Sequence, residues 1–307
     1  MNSAYIGALM ELAEKNSNVI HLLADSGTGY DEMFRRCFPQ QMYNFGIAEE
    51  NMVSAAAGMA MTGKIPFVFT AGAFLAYRAL EFIRDDICFQ NLNVKIIGMG
   101  SGLSWSSLGP THHTTEDIAV LRALPNIMIL SPATPNQVKA CVRKAYEHLG
   151  PVYIKIGMNH EQEYFADNCA INSDGFDVID ISGDDSDCMV FVTGSILQEV
   201  VNAAAILKVD GISVKIVNMV TLKPLETVNI IKIAEKFKNI FTVEEHNIIG
   251  GLGGILAEII SYNGLNKKII PIGLKDRFAV GYGTHEIVRK RNNLSAQQIA
   301  KTIKEAM

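Results

Sequence analysis

Two tandem α/β domains, each a parallel sheet covered by helices on both faces, are what this sequence predicts. Three observations carry that expectation. Short apolar runs rich in Val and Ile alternate with longer segments of helical period from residue 18 to residue 156. The alternation fails over roughly residues 157–187, which are polar and carry the acidic run Asp184, Asp185, Asp187, and it resumes from Met189 onward. At 307 residues the chain also exceeds the size at which one hydrophobic core usually stops growing.

In the first domain the pattern predicts strands at residues 19–23, 42–45, 66–70, 94–98, 127–130 and 152–156. Helices are expected between them at 48–61, 75–90, 116–123 and 136–148, with Gly63 and Gly150 placed to end two of these. The second domain is expected to hold strands at 189–193, 214–218, 240–244 and 269–272, separated by helices at 196–209, 225–237, 254–261 and 295–304. This divides the chain into residues 1–165, a linker at 166–186, and a smaller domain at 187–307. No short repeat or low-complexity segment interrupts the plan.

Composition narrows the function. The chain is 49% hydrophobic and 19% charged with a net charge of -5, the profile of an ordinary globular protein. Lys and Arg are scattered, so nucleic-acid binding, whose footprint is a basic patch, is not expected. No apolar run approaches the length of a membrane span, and Asn2 and Ser3 do not open an export signal, so a cytoplasmic location is the expectation. The five cysteines, Cys37, Cys88, Cys141, Cys169 and Cys188, are widely spaced and read as reduced thiols, without metal-ligand spacing.

Four features bear on chemistry. Glu49 and Glu50 open a helix rich in Ala and Met, where carboxylates can complement the helix dipole; alternatively, one of them turns inward among Ile47, Met52 and aromatic neighbours and acts as an acid. Phe74 and Tyr77, three positions apart, can pack in the core or offer one aromatic face to a flat heterocycle. The loop 100–113, with Gly100, Gly102, Gly109 and Pro110, ends in Thr111, His112 and His113 and suits acid/base work, although loop histidines are also common on surfaces. Gly250, Gly251, Gly253 and Gly254 precede a helix but lack dinucleotide-fingerprint spacing, and read as a tight turn.

Taken in order, three segments resemble the transketolase family and its relative deoxyxylulose-phosphate synthase. They are Phe45-Gly46-Ile47-Ala48-Glu49; Gly109-Pro110-Thr111-His112 with Glu116 and Leu121-Arg122-Ala123-Leu124-Pro125-Asn126; and Lys223-Pro224-Leu225 with residues 244–254. The resemblance spans essentially the whole chain. It implies a thiamine-diphosphate pyrimidine-binding domain followed by a transketolase C-terminal-like domain, and a transferase of two-carbon ketol units from a ketose to an aldehyde.

Carried over by position, it makes Glu49 the acid that hydrogen-bonds N1′ of the cofactor's pyrimidine, so that the exocyclic nitrogen can take the proton from thiazolium C2. Ile47, Phe74 and Tyr77 match positions around that ring, and Asp25 an acidic position near the cofactor. His112 matches a histidine on the substrate hydroxyls, with Leu108 and His113 beside it. The family holds the diphosphate and its Mg2+ or Ca2+ through Gly-Asp-Gly and a following Asn, a sequence not found here. The resemblance therefore implies a diphosphate-binding partner subunit, self-association, and a two-plus-two heterotetramer.

Substrate positions depart from the family pattern. Leu108 replaces an Asp, Gly157 and Asn2 replace arginines, and Gly100 replaces a histidine. Each lost arginine removes a charge-assisted phosphate contact, so a non-standard sugar or modified-sugar acceptor is expected. Two rival readings are the β subunit of a 2-oxo acid dehydrogenase, which shares the two-domain plan, and a non-catalytic scaffold. The segment from Gly109 to His112 argues against the first, and the presence of both Glu49 and His112 against the second.

Overall fold

Runs of β-branched and aromatic residues with no polar face form strands only where helices cover both sides of a sheet, and this chain builds two such sheets. The computed structural model describes residues 1–25, 29–159, 161–180 and 186–307, so Asp184 and Asp185 of the acidic run lie outside the described residues. In chain order the first part comprises α1 (Asn2–Lys15), β1 (Val19–Leu23), α2 (Gly29–Cys37), β2 (Met42–Asn44), α3 (Glu49–Met61) and β3 (Ile65–Ala71). A helical run follows, made of a π-helical turn at Phe74–Arg78, α4 (Leu80–Phe82) and a second π-helical turn at Ile83–Cys88. Then come β4 (Lys95–Met99), α5 (Asp117–Arg122), β5 (Met128–Leu130), α6 (Pro135–Glu147), β6 (Val152–Ile156), β7 (Phe176–Asp180) and β8 (Cys188–Thr193). The remainder is α7 (Leu197–Val209), β9 (Val214–Met219), β10 (Thr221–Lys223), α8 (Thr227–Ala234), β11 (Asn239–Asn247), α9 (Leu252–Tyr262), β12 (Lys268–Leu274), α10 (His285–Arg291) and α11 (Ala296–Ala306).

The larger sheet has seven strands in the order β10-β5-β6-β4-β3-β1-β2, all parallel except β10, which pairs antiparallel with β5. Every residue of β1, β4 and β6 is buried. The smaller sheet runs β12-β11-β8-β9-β7, parallel except for β7. The two units are not separate bodies, because one apolar cluster includes Ile20, Met52 and Ile118 from the first together with Phe191, Leu252 and Leu256 from the second.

Several elements lie outside the sequence expectation. The apolar pattern does not predict the helices α1, α2 and α10. The span expected to be linker contains β7, an edge strand on β9, and β10 crosses from the second half of the chain to complete the first sheet. The helix expected at 75–90 is wound mostly as π-helix, a geometry often found at functional sites.

Lys95, fully buried within β4, donates to the carbonyls of His148 (2.7 Å) and Gly150 (2.8 Å), and burial lowers its pKa to about 7. The unfolded side chain titrates near pKa ~10.4, so between those values the unfolded chain binds more protons and stability rises with pH. We therefore expect the urea midpoint to increase from about pH 7 to about pH 10 and this rise to be shallower in Lys95→Met. Equal slopes in the two proteins would remove Lys95 as its source.

Candidate active site

A parallel sheet places the C-terminal ends of its strands along one edge, and the candidate residues gather there. Asp25 follows β1, Glu49 follows β2, Phe74 follows β3, and the histidine loop follows β4. Asp25 is exposed in a left-handed conformation (φ 49°), which its short polar side chain tolerates. The Asn44 side chain ties this turn to the next, because its Oδ1 accepts from the backbone N–H groups of Asp25 (3.1 Å) and Gly46 (2.9 Å).

Glu49 is the first residue of α3 and is only 1% exposed. A carboxylate there lies at the positive end of the helix dipole. Its Oε2 accepts a hydrogen bond from Nη1 of Arg78 (2.7 Å), whose guanidinium also lies over the Phe74 ring at 4.8 Å from the centroid. Phe74 in turn meets His112 edge-on, with centroids 5.2 Å apart, and His112 meets Trp105 at 6.3 Å. A continuous path of carboxylate, guanidinium and three rings thus lines the sheet edge. Ile47 does not join it: this side chain is 76% exposed, and the Glu49 carboxylate meets Arg78.

The π turn that begins at Phe74, closed by Ala79 N–H to Phe74 O, brings Arg78 over the Phe74 ring and Tyr77 to the end of the histidine loop. The Tyr77 hydroxyl donates to Glu116 Oε2 (2.8 Å) and accepts from the backbone N–H groups of Thr115 (3.1 Å) and Glu116 (2.9 Å). Burial, then the carboxylates of Asp117 and Glu116, push this phenol well above its ordinary pKa, so it stays protonated and anchors the end of the histidine loop.

The adjacent histidines differ. Nδ1 of His112 lies 3.0 Å from Thr111 Oγ1 and its ring faces Phe74. His113 is 2% exposed, and neither ring nitrogen has a hydrogen-bond partner among the described residues. Burial lowers its pKa, which favours a neutral ring.

Comparison with known proteins accounts for this arrangement. Residues 1–162 match the family model for the transketolase pyrimidine binding domain, and residues 178–299 match that for the transketolase C-terminal domain. The chain belongs to the transketolase family. It is 39% identical to a putative transketolase C-terminal section of Methanocaldococcus jannaschii, covering 100% of this chain and 96% of that protein. It is 34% identical to one subunit of the apulose-4-phosphate transketolase of Actinobacillus succinogenes, over 94% and 92% of the two chains. Among solved structures, a split gene transketolase described as an inactive β4 tetramer matches with TM-score 0.90 and 33% identity over 99% of this chain and 97% of that one.

Within the transketolase family this chain therefore carries the pyrimidine-binding and C-terminal domains of a transferase, and these are the domains of a thiamine diphosphate enzyme. Among the described residues no helix is long and apolar enough to cross a membrane, and no three His, Cys, Asp or Glu residues are grouped to hold a metal.

The positions that depart from the transketolase pattern have structural correlates. Gly100 (φ 76°) is backed by Trp105, whose Nε1 lies 2.0 Å from where a Cβ would be, so no larger residue fits. A Cβ at Gly157 would lie 2.4 Å from Glu161 Oε1, which puts a carboxylate where the family pattern has a cation. Asn2 Nδ2 is turned to Met99 Sδ (3.0 Å), and Leu108 is 45% exposed. In the glycine-rich turn before α9, Glu244 accepts from the N–H groups of Leu252 (2.7 Å) and Gly253 (3.0 Å), so the donors a phosphate would need are already engaged.

Sequence pattern gives no sign of the contacts by which the second domain grips the histidine loop. Glu245, at the end of β11, accepts from Leu103 N–H (3.1 Å), His285 Nε2 (2.9 Å) and Arg289 Nε. The Asn247 N–H donates to Thr115 O (2.7 Å), and the Tyr282 ring fills the space beside Gly109. Burial alone would raise the Glu245 pKa, but the charges of Arg289 and His285 hold it well below the carboxylate range. A depressed pKa contributes stability that is present above the unfolded value of about 4.3 and lost as pH falls below it. We expect Glu245→Gln to cost about 3 kcal/mol or more at pH 7 and to flatten the acid limb of the stability curve, as read by urea unfolding between pH 3 and pH 7. An unchanged midpoint would show the cluster to be energetically idle.

Proposed function

We propose that this chain supplies the pyrimidine-side half of a split transketolase that moves a two-carbon ketol unit from a ketose to an aldehyde acceptor. The observation that carries the reading is the buried Glu49 carboxylate, held at the start of a helix and linked through Arg78 to the Phe74 ring, which meets His112. Its surroundings suit an aminopyrimidine: the carboxylate already receives an N–H from a flat cation that rests on an aromatic face. When bound, thiamine diphosphate supplies the carbon nucleophile for ketol transfer.

In this reading Glu49 holds the pyrimidine by hydrogen-bonding N1′ and sets its protonation. Phe74 packs against the ring, and Asp25 sits beside the cofactor on the next turn. His112 touches substrate hydroxyls and can hold or pass a proton, with Leu108 and His113 forming the rest of the substrate side. Tyr77 acts through the loop it anchors. The diphosphate and its Mg2+ or Ca2+ belong to the partner subunit, and two copies of each chain assemble. The domain limits proposed are 1–165 and 187–307, with 166–186, which includes the edge strand β7 of the smaller sheet, connecting them.

The acceptor is not an ordinary sugar phosphate. Positions 2 and 157 carry no arginine to receive a phosphate. Relatives named for apulose 4-phosphate and 6-deoxy-6-sulfo-D-fructose make unusual ketoses or their products the class to test first.

The test is ketol transfer by the reconstituted pair of subunits, assayed with a panel of phosphorylated, sulfonated and unmodified ketoses and aldehydes. We expect activity only when both subunits are present. Glu49→Gln should lower kcat by about 100-fold or more, and His112→Ala by a similar order in kcat/KM, without loss of assembly. Full activity of the Glu49→Gln complex would end this mechanism, and a strong preference for common pentose phosphates would end the proposal about the acceptor.

A further inference from the structure

The Glu49–Arg78 pair is lopsided. Glu49 is 1% exposed, whereas the Arg78 side chain is 43% exposed. One carboxylate oxygen and one face of Phe74 are engaged by a planar group that presents N–H donors and spreads a positive charge over its plane. These are the two contacts that the proposed function assigns to the cofactor's aminopyrimidine, which is also flat and meets Glu49 through a ring nitrogen.

The energetic reason for this occupancy lies in the carboxylate. Leaving a buried carboxylate without a partner is costly, so a chain that folds before its cofactor arrives needs another donor for Glu49. Arg78 meets that need from the surface: its stem reaches in from the π turn that begins at Phe74, and the wide turn sets it directly over the ring. The same exposure gives it a way out, because a half-exposed guanidinium can return to water at little cost.

We propose that Arg78 is a displaceable placeholder: in the unassembled subunit its guanidinium neutralises Glu49 and stacks on Phe74 where the heterocycle will sit, and cofactor loading turns it outward. This rests on the assignment of Glu49 to the pyrimidine. Arg78 is thus a positioning residue that keeps the slot open and charge-balanced, and it competes with the ligand it prepares for.

Two measurements on Arg78→Met test this, both independent of turnover. The first is the urea midpoint of the isolated full-length chain, which falls because Glu49 loses its partner. The second is the Kd of thiamine diphosphate with Mg2+ for the complex with the partner subunit, which tightens by about tenfold, the equivalent of one charge-assisted hydrogen bond no longer competing. Arg78→Lys, which keeps the charge without the planar stack, gives intermediate values for both and serves if the Met variant does not fold. An unchanged or weakened cofactor affinity in these variants, or an unchanged midpoint of the isolated chain, overturns the placeholder role. Glu49→Gln in the same titration separates this from the underlying assignment: if that variant binds the cofactor as tightly as the wild type, the assignment of Glu49 itself is lost.

Discussion

A carboxylate removed from water is the constraint around which the site is organised. Glu49 is buried at the first turn of α3, and burial of an ionised carboxylate is tolerated only where charge and donors compensate it. The helix N-terminus offers part of that compensation and Arg78 the rest. Everything that places α3 at the edge of the larger sheet therefore serves this one group: the apolar runs of β1 and β3, the Asn44 side chain that joins two neighbouring turns, and the buried Met52, Val53 and Ala56 that seat the helix.

The second domain shapes the other wall. The loop that carries His112 is too rich in glycine to hold its own conformation, and it is fastened at three points by elements from the C-terminal part of the chain. Glu245 binds the Leu103 N–H, Asn247 binds the Thr115 carbonyl, and Tyr282 packs beside Gly109. Beneath the loop, Asp117 accepts from Lys155 (2.6 Å) and Tyr153 (2.7 Å), and Lys155 also donates to Thr114 O (2.8 Å). Together with β10, which completes the first sheet, these contacts make the C-terminal domain part of the candidate site's architecture as well as of the fold.

Much of this is legible in the sequence where side-chain pattern and local structure agree. Strands such as β1, β4 and β6 are buried throughout, and runs dominated by Val, Ile and Leu signal that, although each run is broken by a buried polar residue, His21, Lys95 or Lys155. Glu49 stands out as a carboxylate at a strand-to-helix junction, and the glycines, proline and histidines of residues 100–113 mark an irregular loop after a strand. What escapes depends on long-range contacts. The edge strand β7 is half polar and gains its structure from β9, while β10 is three residues long and exists only because β5 needs a neighbour. The π turn at Phe74–Arg78 cannot be read from α-helical spacing, and that spacing gives no sign of Arg78 lying over Phe74. Glu245, His285 and Arg289 converge from separate elements, and nothing local in their sequence neighbourhoods announces that meeting.

The most direct test of this account is an experimental structure of the two-subunit complex with thiamine diphosphate and Mg2+ bound. The account predicts a Glu49 carboxylate oxygen within hydrogen-bond distance of the pyrimidine N1′, with the diphosphate held by the other polypeptide. A cofactor whose pyrimidine lies away from Glu49, or whose diphosphate is bound by this chain, would contradict it.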